Sequence, residues 1–80
     1  MEAARIADLV IEAAAFVDWL ETGCGDLEIV GAALLYLRDE LSVLAEHTDD
    51  PEASSAACGM VEVIEATLAH PPARRERRAA

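Results

Sequence analysis

The sequence predicts an all-α domain, an up-down-up antiparallel bundle of three helices. Three observations carry that expectation. Apolar residues recur at helical spacing in three stretches of about twenty residues. Glycine- or proline-bearing breaks separate the stretches at Thr22–Asp26 and Thr48–Pro51, and His70-Pro71-Pro72 closes the third. The connections are short, and short connections join antiparallel neighbours.

The first stretch runs from about Glu2 to Glu21. At about 100° per residue, Ile6, Leu9, Val10, Ala13, Phe16, Val17 and Leu20 share one arc about 120° wide, the width of a core-facing stripe. A second strip collects Ala3, Ala7, Ile11 and Ala14. Its small residues would let another backbone approach, and Ile11 is stranded unless something covers it. Gly23 suits the left-handed position beyond a helix end, and Asp26 suits the N-cap of the next helix.

The second stretch, Leu27 to about His47, is the most hydrophobic. Leu27, Val30, Leu34, Leu37, Leu41 and Leu44 step by three and four, which is a coiled-coil type of seam. Ile29, Tyr36 and Val43 form a second row at seven-residue spacing on a neighbouring face. Two apolar rows on one helix are expected when it lies between two others, so the first and third helices would cover both. Gly31 weakens a helix interior by roughly 1 kcal/mol against alanine and would be explained by a helix crossing there.

Asp50 and Pro51 are a cap and a first helical residue for the third stretch, which presents Ala53, Ala57, Met60, Val61, Ile64 and Leu68 on one face. Its start, Ala53-Ser54-Ser55-Ala56-Ala57, offers little side chain to bury, so its first turns should be its weakest. Residues 1–70 therefore read as one acidic helical bundle. Residues 71–80 have nothing to bury and read as a disordered Pro/Arg tail.

Charge divides the chain at the same place. The first seventy residues carry two arginines, Arg5 and Arg38, against fifteen carboxylates, and no lysine. The last ten carry four arginines against Glu76. Nucleic acid is an improbable ligand for such a body, because phosphate must be neutralised by Lys or Arg. Anionic membrane is disfavoured on the same ground. No apolar run approaches the roughly 20 residues of a span, and the N-terminus lacks the basic region of a secretion signal, so a cytoplasmic protein is expected. The arginine tail resembles a basic arm for nucleic acid but could supply only a weak, salt-sensitive contact, and it is read as solvated, with attraction to the acidic body, within or between subunits, as the other option.

The inventory for catalysis is thin, and the expectation is a non-enzymatic protein without cofactor or metal. His47 and His70 fall at opposite ends of the bundle, and neither a phosphate loop nor a zinc pattern is present. Cys24, just before a helix start, could have its thiolate favoured by the helix dipole. The carboxylates of Glu21, Asp26 and Glu28 oppose that, so it reads as a turn residue. Glu46 to Glu52 packs four carboxylates and His47 into seven residues, lacks the spacing of a calcium loop, and reads as a solvated acidic turn. The bundle separates Cys24 from Cys58 by more than a disulfide's reach, so both are expected as free thiols.

Surplus apolar residues remain. Trp19 projects beside the main arc of the first helix, either folded over the bundle edge or exposed as an anchor of the kind enriched at binding hot spots. Leu35 stands among Glu28, Asp39, Ser42 and Glu46. Ile11, Trp19, Leu35 and Tyr36 are therefore the candidate interaction residues. In composition the chain is similar to small, acidic, all-helical inhibitors and adaptors encoded by phages and mobile elements, although no motif carries the likeness. The expected function is that of a protein–protein interaction module, an adaptor or inhibitor of a protein target, acting as a homodimer. The alternative is an acidic decoy that blocks the basic cleft of a nucleic-acid-binding target.

Overall fold

The structure is a computed structural model that describes residues 2–23 and 25–70, so Cys24 and the tail expected to be disordered lie outside it. Helix α1 spans Glu2–Glu21, α2 spans Leu27–His47 and α3 spans Pro51–Ala69. Each helix packs on both of the others. The architecture is the expected all-α three-helix bundle.

The breaks use the expected chemistry. Gly23 takes φ 79°, the left-handed conformation that glycine adopts without a Cβ penalty, and its N–H donates to the Leu20 carbonyl. Asp26 caps α2 by accepting from the Glu28 N–H at 2.8 Å. Asp50 caps α3 through the N–H groups of Glu52 and Ala53, with Pro51 at the first helical position, where no donor is lost to the helix.

Contacts between helices fix their direction and register. Arg5 of α1 pairs with Glu40 of α2, Nη2 to Oε1 at 3.6 Å, so the start of α1 lies beside the later half of α2. The Ser54 hydroxyl donates to the Ala45 carbonyl at 3.2 Å, tying the start of α3 to the end of α2. Gly31 lies opposite Leu68, near the end of α3. The chain therefore runs up, down and up.

The core is the stripe read from the sequence, with two adjustments. Ile6, Leu9, Ala13, Val17 and Leu20 are buried from α1, Val30, Leu34, Leu37 and Leu41 from α2, and Ala57 and Ile64 from α3, which also buries Thr67. Leu27 is exposed, so the seam of α2 begins at Val30, one turn later than its leucine spacing suggested. Gly31 does lie against α3, but a methyl there would rest 3.6 Å from Leu68 Cδ2, an ordinary contact. Proximity of a neighbouring backbone does not require that glycine.

The expected covering of α2 on both apolar rows is overturned. Ile29, Tyr36 and Val43 are 71, 60 and 55% exposed. A helix packed against two others in a three-helix bundle buries one broad arc, and α1 and α3 both dock on the flanks of the leucine seam. The second row points away from both. Ile11 on α1 is likewise exposed, and among the described residues nothing covers the Ala7/Ile11/Ala14 strip.

Candidate functional site

The exposed row occupies a narrow arc of α2. At about 100° per residue, Ile29, Tyr36 and Val43 fall within about 40° of one another and about 130° from the mean of the buried seam. The row is about 21 Å long at 1.5 Å per residue. Between its large side chains lie Ala32 and Ala33 toward one end and Asp39 and Glu40 toward the other.

Trp19 belongs to the same side of the molecule. The Arg5–Glu40 pair sets that flank of α1 against that flank of α2, and Trp19 follows Arg5 on its flank at an offset of about 40°. The Trp19 ring stacks on Phe16, with centroids 6.2 Å apart and planes 22° from parallel. It remains 48% exposed, so the ring lies over Phe16 at the rim of the core and leaves about half of its surface open. Beneath it, the Thr22 hydroxyl donates to the Trp19 carbonyl and helps to end the helix.

The structure thus brings Trp19 and Tyr36 onto one face and sends the other two candidates elsewhere. Leu35 is exposed on the opposite flank of α2, the side that Gly31 and Ala45 set against α3. Ile11 stands on the back of α1, about 160° from its buried stripe.

The sequence reading missed one feature, an open groove of about 430 Å³ between Ser42, Ala45 and Glu46 of α2 and Ser54, Cys58 and Val61 of α3. Its signal was the alanine- and serine-rich start of α3, which leaves α2 imperfectly covered there. Cys58 lines the groove as a free, exposed thiol. The groove carries no imidazole or cationic side chain.

Around these features the surface is acidic. From Asp8 to Glu65 every carboxylate except Glu40 is exposed. Both body arginines are engaged, Arg5 with Glu40 and Arg38 with the adjacent Asp39 at 3.1 Å. Such surface pairs contribute at most about 1 kcal/mol each. In the acidic turn, Asp50 is occupied as a cap, Thr48 accepts from the Asp50 N–H, and His47 Nδ1 donates to the Val43 carbonyl at 2.8 Å. Among the described residues no three His, Cys, Asp or Glu side chains gather where they could hold a metal ion. None of the helices is long and apolar enough to cross a membrane.

Compared with models of protein families, with curated proteins and with solved structures, the chain matches none.

Proposed function

We propose that this chain is a non-enzymatic protein-binding module, an adaptor or inhibitor, that docks through the face carrying Ile29, Tyr36, Val43 and Trp19. The exposure of that row carries the reading. Large apolar side chains scattered singly on a surface need no explanation, but three in one row four helical turns long, with an exposed tryptophan on the same side, are more than scattered residues. Aromatic residues at such positions contribute disproportionately to binding, because they bury much area while fixing few rotatable bonds. The carboxylates on either side form a polar rim that keeps the patch soluble and excludes acidic partners.

The test is retention of a protein from host extract by the immobilised full chain, compared with Tyr36→Glu and Leu35→Glu variants. Capture abolished by Tyr36→Glu and kept by Leu35→Glu is the expected result. Equal capture by all three would remove the row from the binding site.

A second reading rests on a separate observation, the near-continuous exposure of carboxylates from Asp8 to Glu65 with both body arginines already paired. That surface suits a decoy for a basic cleft. Salt separates the two. Contact through the apolar row survives about 0.5 M salt, whereas a charge-mimicking contact weakens steeply as the screening length shortens.

A further inference from the structure

We propose that the occupant of the α2 row is a second copy of this chain, paired antiparallel along α2 with a two-fold axis at Tyr36. The proposal rests on the reading of that row as a docking face and names its partner. The spacing carries it. Ile29 and Val43 stand seven residues on either side of Tyr36, so a two-fold axis there sets Ile29 against Val43 of the second copy and Tyr36 against itself. All three positions are exposed in the single chain.

The flanking residues follow the same symmetry. A two-fold axis perpendicular to both helices brings like flanks together, with residue numbers in each facing pair summing to about 72. On one flank Glu40 then meets Ala33 of the second copy. On the other, Asp39 meets its Ala32. The carboxylates nearest the row therefore face methyl groups instead of other carboxylates, and the alanines leave room for the two helices to approach. The two ends of the row differ. His47, whose Nδ1 is committed to Val43, stands across from Asp26 of the second copy, while Glu28 stands across from its Glu46.

Trp19 joins the contact. The Arg5–Glu40 register puts it level with Asp26, and the two-fold axis brings that level against the Val43–His47 end of the second copy. The exposed face of the ring would be covered there. Row and tryptophan together expose roughly 500 Å² per chain, short of the ~800 Å² per partner of a standard stable complex. The dimer is accordingly weak. Because the facing Glu28–Glu46 pairs and the acidic surfaces of the two chains repel, salt strengthens it.

The experiment is sedimentation equilibrium of the full chain from about 20 µM to 1 mM, in low and moderate salt. A mass rising toward two chains, at lower concentration when salt is added, is expected. Trp19 is the sole tryptophan, so its emission should shift to the blue over the same range. Tyr36→Glu, which sets two charges together on the axis, should hold the chain monomeric, and Leu35→Glu should leave the dimer intact. Should Tyr36→Glu lose its helicity, concentration-dependent amide shifts in the unaltered chain decide. Shifts centred on 29–43 support the pairing, and shifts centred on α3 overturn it. A monomer mass at 1 mM in moderate salt also overturns it, as does a dimer that persists in a folded Tyr36→Glu variant. A monomeric chain whose capture of a host protein is still lost on Tyr36→Glu would reject the second copy and leave the docking face standing.

Discussion

Helix α2 has two apolar faces with opposite fates. Val30, Leu34, Leu37 and Leu41 are buried, while Ile29, Tyr36 and Val43 are mostly exposed one or two residues away in sequence. Both faces repeat at spacings a helix can present as a row. The difference lies in what stands opposite. The stripe Ile6 to Leu20 of α1 and the narrower Ala57–Ile64–Leu68 face of α3 meet on the seam and leave the second row without a cover. An apolar period therefore marks a surface that needs a neighbour, and it does not say whether that neighbour belongs to the same chain.

Substitutions in the seam should break this comparison most forcefully. Leu37 and Leu41 are 3% and 0% exposed, and truncating either to alanine removes a full side chain from a closed core. The expected cost is about 2–5 kcal/mol. A core of this size supplies only roughly 3–5 kcal/mol net, so either variant should be largely unfolded by circular dichroism at 25 °C. A Leu37→Ala variant that melts like the original chain would mean that the seam is not the inward face.

At the mouth of the seam, Gly25 tests how tightly α1 turns into α2. A methyl there would stand 2.9 Å from Val30 Cγ2 and 3.7 Å from Leu20 Cδ2 and Trp19. Val30 is buried and branched and has little room to yield. Gly25→Ala should cost about 1–3 kcal/mol, measured by urea denaturation, as overpacking does. Gly31→Ala should do the reverse. Its methyl meets only Leu68, at ordinary contact distance, and removing glycine from a helix interior contributes about 0.5–1 kcal/mol. Gly25→Ala melting above Gly31→Ala would invert the placement of free space along α2.

The helices, their caps and the seam were legible because each depends on local chemistry. Asp26 and Asp50 cap where a short side-chain acceptor precedes an apolar period, and Gly23 turns where φ must be positive. What escaped was tertiary. The exposure of Tyr36 depends on how far round α2 its two neighbours reach, and that of Leu27 on where α3 ends, since Gly31 already lies opposite Leu68 and α3 stops at Ala69. The groove beside Cys58 depends on two helices failing to close on each other. All four interaction candidates are exposed, although the Tyr36 row was expected to be covered within the bundle. That Trp19 and Tyr36 share a face, while Leu35 and Ile11 do not, required the register set by Arg5 and Glu40.

The smallest expected effect sharpens the comparison most. Tyr36 adjoins Leu37 in sequence, is 60% exposed, and makes no side-chain hydrogen bond or ring stacking contact among the described residues. In the dilute monomer, Tyr36→Ala loses the little apolar area the ring covers on its own helix and gains alanine's helix propensity, worth up to about 0.5 kcal/mol. These contributions oppose each other, so stability should stay within about 0.5 kcal/mol of the parent, as for surface positions generally. The neighbouring Leu37→Ala should then differ from it by about 2 kcal/mol or more, across a single step of the chain. Urea midpoints at about 5 µM, where self-association is negligible, provide the check. A loss above 1 kcal/mol for Tyr36→Ala under those conditions would show the row packed within its own chain and end its role as a docking face. A near-neutral result, with stability falling behind the parent only at millimolar concentration, would locate the contribution of Tyr36 in contact with another molecule.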